Sequence, residues 1–171
     1  MLIDGKLFKN GAVICIAGYT GEGKSPMIKK IVEKANLKNR LVWDIQHEYD
    51  ERTWTVFRRD FGIFRQSMTE ARQSAIIFEE ATSHINSFSD LELNNIYTSS
   101  EHNMNVVVMI FTSLAAMPVS LILNMHYLAL FNSNDDEDSL SDSKYRKRFI
   151  PLLKLKKPVF VNVRQLVGAE K

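Results

Sequence analysis

Short runs of consecutive apolar residues alternate along this chain with stretches whose apolar positions recur at helical spacing. AVICIA (12–17), SAIIF at the start of 74–80, VVVMIF (106–111) and YLALF (127–131) have almost no polar positions, the pattern of strands buried on both faces of a parallel sheet. LVW at 41–43, preceded by Arg40 and closed by Asp44, predicts another strand; 53–57 predicts a weaker one, and 159–163 a last one set off by Pro158. Met27, Ile28, Ile31, Val32 and Ala35 repeat with the period of a helix after the first strand, and 68–74 and 91–100 are also expected to be helical. This order predicts an α/β sandwich built on a mainly parallel sheet.

The stretch 106–123 is nearly uniformly apolar and about as long as the shortest bilayer span, but Thr112, Ser113, Pro118 and Ser120 interrupt it. It is therefore expected to divide into a buried strand (106–111), a polar turn and a short element starting near Pro118, with no transmembrane segment. The first residues lack a basic stretch followed by a long apolar one, so no secretory leader is expected.

A length of 171 residues, 45% hydrophobic and 25% charged, suits a single domain spanning 1–171 and excludes a disordered chain. The net charge of +2 does not by itself point to nucleic acid, so contact with DNA would rest on a local basic cluster or on several subunits pooling their charge. Cys15 is the only cysteine; it lies in the first predicted strand, excludes an intramolecular disulfide and reads as small apolar filler in a reducing compartment. Residues 132–143 are acidic and serine-rich, and Lys144, Arg146, Lys147 and Arg148 follow. A charged mobile segment or surface helix is expected near 132–148, with a nucleotide lid or a DNA-facing loop as the sharper alternative.

The chemistry is clearest at GYTGEGKS (18–25), which fills every fixed position of the P-loop pattern G-x-x-x-x-G-K-[ST] between a predicted strand and a predicted helix. Gly18, Tyr19, Thr20, Gly21, Glu22, Gly23, Lys24, Ser25 and Pro26 form the expected phosphate cradle. The glycines let backbone N–H groups turn inward, Lys24 reaches the β and γ phosphates, and the Ser25 hydroxyl faces a magnesium ion. Pro26 is tolerated because the first turn of a helix has unpaired N–H groups anyway. The pattern implies ATP and Mg2+ as ligands.

Glu79 and Glu80 close the strand at 74–80. In a doubly wound sheet, ligands bind beyond the carboxyl ends of the strands, so both acids can lie beside the P-loop. Glu79 is assigned to the magnesium shell and Glu80 to orienting or deprotonating the attacking water, although paired acids also commonly just open a loop. Asp44, His47 and Glu48 fall just past another strand, within reach of the nucleotide or of a neighbouring subunit, or simply in a polar loop.

In order and spacing, GYTGEGKS, LVWDIQHEY, AIIFEE and VVVMIFTSLAAMPVSLILN resemble the FtsK and HerA superfamily of DNA-pumping ATPases, in particular the compact genome-packaging ATPases of membrane-containing viruses and phages. The likeness covers roughly residues 11–131. It implies a P-loop NTPase three-layer sandwich of the additional-strand, catalytic-glutamate type. It also implies ATP hydrolysis in a homo-oligomeric ring, a pentamer or hexamer, that moves viral genome DNA with little sequence preference. The ring would dock on capsid vertex proteins and be found in the host cytoplasm or at a virion vertex. By the same resemblance, Thr112 and Ser113 take the place of a polar residue that senses the γ phosphate, with Ser113 assigned the role, and Asn124 matches an asparagine preceding the next strand.

The chain departs from that pattern at one point. Where the family often places an arginine that reaches a neighbour's nucleotide, residues 99–103 read SSEHN, which leaves Arg58, Arg59, Arg65 and Arg72 as candidates. Two other classes stay open from sequence: a small-molecule P-loop kinase using 132–148 as its lid, and a Zot-like nucleotide-binding phage assembly protein, a class that normally carries a membrane anchor.

Overall fold

The computed structural model describes residues 11–133, 135–141, 143–155 and 157–163. Its strands are β1 (Ala12–Ala17), β2 (Asn39–Trp43), β3 (Thr55–Phe57), β4 (Ser74–Phe78), β5 (Val106–Phe111), β6 (Tyr127–Leu130) and β7 (Val159–Asn162). They form one seven-stranded sheet in the order β3-β2-β4-β5-β1-β6-β7. The pairings from β3 through to β6 are parallel and only β7 runs antiparallel, against β6. This is the P-loop NTPase three-layer sandwich, and β5 is the additional strand, inserted between β1 and β4.

Because side chains alternate along each strand, the apolar runs feed two cores at once. Ala12, Ile14 and Ile16 of β1, with Val106, Val108 and Ile110 of β5, pack on Met27, Ile28, Ile31 and Val32 of α1 (Lys24–Ala35). Val13, Cys15, Val107, Met109 and Phe111 face the other way, toward α2 (Phe61–Glu70), α4 (Asp90–His102) and α5 (Val119–Asn124). Cys15 is fully buried, and burial pushes its thiol pKa up, so it behaves as filler. The start of β1 is crowded: a Cβ on Gly11, at φ +77°, would lie 2.0 Å from the Ser100 carbonyl oxygen of α4.

The second helix corrects the expectation at 68–74. α2 begins at Phe61 because the Asp60 side chain caps it, accepting from the Ile63 N–H at 3.0 Å, and because Phe64 and Met68 supply its buried face. It ends at Glu70, and Ser74 already belongs to β4. The apolar stretch 106–123 divides as expected into β5, a turn and α5, and among the described residues no helix is long and apolar enough to cross a membrane.

Described residues of the charged stretch near 132–148, expected to be mobile, are anchored to this body. The Asp135 carboxylate accepts from the N–H groups of Leu114 (2.6 Å) and Ala115 (2.9 Å). Leu140 and Phe149 are buried in the core, and Arg146 Nη2 donates to the Met117 carbonyl at 2.7 Å. The basic run forms a short helix, α6 (Lys144–Lys147), in which Lys144 and Arg148 flank the Tyr145 ring at 4.9 and 5.7 Å.

Candidate active site

β1 delivers the P-loop to the carboxyl end of the sheet, where backbone contacts hold it in place. Gly18 N–H donates to the Phe111 carbonyl of β5 (3.1 Å), and Tyr19 N–H donates to the Asn132 carbonyl beyond β6 (2.8 Å). Asn132 Nδ2 in turn donates to the Glu22 carboxylate at 3.0 Å. Gly21 and Gly23 sit at φ +87° and +86°, and no heavy atom lies within 4 Å of where a Cβ would stand. Conformation rather than crowding therefore reserves these two positions for glycine, and the loop leaves open space for a bound group.

Lys24 opens α1, and its ammonium folds back to donate to the Gly18 carbonyl at 2.9 Å and to the Tyr19 carbonyl. Burial lowers its pKa, while the charges of Glu79, Glu80, Glu22 and Glu48 oppose that shift. The cleft in front of it is about 510 Å³ and is lined by Gly18, Thr20, Gly21, Gly23, Ser25, Pro26 and Lys29 on the P-loop side. Across the opening stand Gln46, Glu48, Glu79, Glu80 and Thr112. Tyr19 is exposed, and Glu22 is held by Asn132, so neither is among the lining residues.

The two acids differ sharply in setting. Glu79 is 8% exposed and accepts the Tyr49 hydroxyl at 2.8 Å. Burial raises its pKa to about 7; the Tyr49 hydrogen bond opposes this, Glu48 and Asp44 add to it, and Lys24 opposes it. Burial, followed by the Glu79 charge, pushes the Tyr49 phenol pKa up in turn, so it stays a donor. Glu80 is half-buried and takes the left-handed conformation (φ 56°, ψ 37°), unusual for a residue with a side chain, at the turn into α3 (Ala81–His84). Its Oε1 accepts from Gln46 Nε2 at 2.7 Å.

The loop after β2 divides the three residues singled out there. Asp44 is fully buried and turned toward its own loop, accepting from the N–H groups of Glu48 (3.0 Å) and Tyr49 (3.2 Å) and from Arg58 Nη2 (3.2 Å). Glu48 lines the cleft, whereas His47 lines a separate groove with Arg59 and Ile63. In the turn after β5, Thr112 reaches the cleft and is held by Thr82, whose hydroxyl accepts the Thr112 N–H at 3.1 Å. Ser113, expected in that role, is not among the lining residues; its hydroxyl accepts from the Ala116 N–H at 3.2 Å and caps the turn. Asn124 donates to Asn94 Oδ1 and to the Ser120 carbonyl, both at 2.8 Å, and is not among the cleft residues either.

The candidate arginines also separate. Arg58 is committed to Asp44 and Glu51, and Arg65 pairs with Glu92 while lying 4.6 Å from the Phe88 ring centre. Arg72 precedes β4 and therefore lies at the end of the sheet opposite the cleft. Arg59, just past β3, lies at the cleft end and is exposed. No arginine is among the residues lining the cleft. Gln46, Tyr49, Lys29 and Thr82 are the participants that sequence reading passed over. The one usable signal was the position of Gln46 and Tyr49 within the polar run after β2.

Among the described residues no cluster of three His, Cys, Asp or Glu could hold a metal by itself. Ser25 and Glu79 suit Mg2+ all the same, because that ion is ordinarily held by one or two carboxylates completed by substrate phosphates and water.

No family model matches the chain, and no curated protein sequence matches it. Solved structures do share its fold. The DNA-packaging ATPase B204 from Sulfolobus Turreted Icosahedral Virus gives a TM-score of 0.70 at 13% identity, over 92% of this chain and 95% of that one. The genome packaging NTPase B204 from Sulfolobus turreted icosahedral virus 2, in complex with AMPPCP, gives 0.72 at 12% identity, over 92% and 95%. EssC (ATPases 2 and 3) from Geobacillus thermodenitrificans gives 0.54 at 12% identity, over 78% of this chain and 34% of that one. The likeness read from the motifs thus extends to the fold as a whole, since two of these neighbours are viral genome-packaging ATPases matched over nearly the full length of both chains.

Proposed function

We propose that the protein is a viral genome-packaging ATPase, a nucleic-acid translocase that hydrolyses ATP in a homo-oligomeric ring, pentameric or hexameric. The observation that carries this reading is the meeting of the P-loop with Glu79 and Glu80 on one cleft, with β5 between the strands that deliver them. The fold shared with two packaging ATPases supports the biological role.

Lys24 leaves its loop carbonyls to meet the β and γ phosphates, and the P-loop N–H groups cradle them. Ser25 and Glu79 hold Mg2+, which supplies neutralisation of phosphate charge when bound. Glu80 accepts a proton from, or orients, the attacking water, and Thr112 takes over from Ser113 as the polar group near the γ phosphate. With no arginine lining the cleft, the permanent cation comes from a neighbouring subunit, and Arg59 is the residue assigned to it. Lys144, Lys147 and Arg148 are assigned to DNA phosphates, a contact that carries no sequence preference. Capsid vertex proteins are the docking partners, and the host cytoplasm or the virion vertex is the place of action.

A hydrolysis assay with and without DNA tests this directly. Turnover that rises with DNA supports the motor, turnover that requires a small acceptor indicates a kinase, and binding without turnover indicates an assembly protein. Glu80→Gln is expected to abolish turnover and spare ATP binding, and full activity in that variant removes Glu80 as the base. Neutralising Lys144, Lys147 and Arg148 is expected to lower stimulation by DNA, and unchanged stimulation excludes them as the DNA contact.

A further inference from the structure

The residues between β2 and β3 form a tethered arch over the cleft. Asp44 fixes its near end through Glu48 N–H, Tyr49 N–H and Arg58, and Tyr49 fixes its far end to Glu79 at 2.8 Å. Between these anchors the tip projects into solvent. Ile45 is an apolar side chain left 43% exposed, His47 sits in the left-handed region at φ 59°, and Gln46 lies between them. The Gln46 amide is the one group of this tip seen to reach back into the cleft, donating to Glu80 Oε1 at 2.7 Å. Glu80 is itself in a strained backbone conformation, so its carboxylate direction depends on its partners.

We infer that Gln46 is a positioning residue that holds Glu80 away from the attacking water, and that displacement of the 45–47 tip releases it. An Oε1 lone pair engaged by the Gln46 N–H is unavailable to water, and the contact draws the carboxylate toward the β2 side of the cleft. Lys24 is parked in the same way, on Gly18 and Tyr19, so two groups that would act on a triphosphate are both held by their own chain. Exposed Ile45 and His47 flank Gln46 directly, so a neighbouring subunit or DNA that presses on the tip moves Gln46 while the anchors stay fixed. The inference rests on the ATPase reading and adds to it a built-in restraint on idle turnover.

Two measurements test it. Gln46→Ala is expected to raise hydrolysis without DNA by roughly two- to tenfold, the worth of one hydrogen bond. Nucleotide affinity stays the same, and the ratio of DNA-stimulated to basal turnover falls; Gln46→Glu, which sets a like charge against Glu80, acts in the same direction. A basal rate that is unchanged or lower, with the ratio intact, overturns the restraint and leaves Gln46 as a support of the active geometry. Independently of turnover, the side-chain amide resonance of Gln46 is expected to shift in Glu80→Ala, and in the wild-type chain when AMPPCP, Mg2+ and DNA are added. A resonance unmoved by those additions overturns the release. A resonance that moves in a protein with no turnover under any condition refutes the ATPase reading instead.

Discussion

At the carboxyl group of Glu79, burial and the proposed role pull in opposite directions. Burial raises its pKa from 4.5 to about 7, so across that window the folded chain keeps a proton that the unfolded chain has released. The contribution of Glu79 to the stability of the nucleotide-free protein therefore falls as pH rises through the window, and levels off above it. Glu79→Gln keeps an oxygen for Tyr49 and removes the titration. The variant is expected to gain on the wild type between about pH 5 and about pH 8, by at most about 3 kcal/mol. Melting curves of both proteins at the two pH values check this, and a gap independent of pH would show that Glu79 does not titrate there. Mg2+ reverses the balance by favouring the ionised carboxylate. Residue by residue, the site was legible where chemistry demands a particular type. Only glycine sits easily at Gly21 and Gly23, and paired acids at a strand end announce themselves. A neutral amide such as Gln46 carries no comparable signal, and spacing cannot order Thr112 against Ser113 in a turn where one faces the cleft and the next caps the turn.

Among the elements, the stretch after β2 has the most to lose from a single change. Asp44 has no exposed surface, and three donors point at it. Asp44→Ala strands the N–H groups of Glu48 and Tyr49 and leaves Arg58 with Glu51 alone, at an expected cost of roughly 2–4 kcal/mol. Urea unfolding measures the cost, and a loss within about 0.5 kcal/mol would show that the arch stands without its anchor. Because Tyr49 also holds Glu79, nucleotide binding is expected to weaken in the same variant. Elements whose apolar pattern is continuous, β1, β4, β5 and β6, were readable from sequence because burial on both faces leaves no alternative. The start of α2 was not, because its register is set by the Asp60 cap and by aromatic packing of Phe61 and Phe64 against Trp43 and Phe78. These contacts come from distant parts of the chain.

For the whole molecule, the proposal predicts that particle mass rises to a closed ring when ATP is bound. Arg59→Ala is expected to preserve ring and nucleotide binding while slowing turnover about a thousandfold. Monomers with full turnover would exclude the ring, and a fully active Arg59→Ala would exclude that residue as the shared cation. The sheet order adds a matter of distance. Neighbouring strands stand about 4.8 Å apart, so the insertion of β5 sets the strand carrying the acids roughly 10 Å from the strand carrying the loop. Were β4 the direct neighbour of β1, Glu80 would crowd the terminal phosphoryl group. One strand farther out leaves the width of a single small molecule between them, which suits water as the acceptor and leaves little room for a sugar or a second nucleotide.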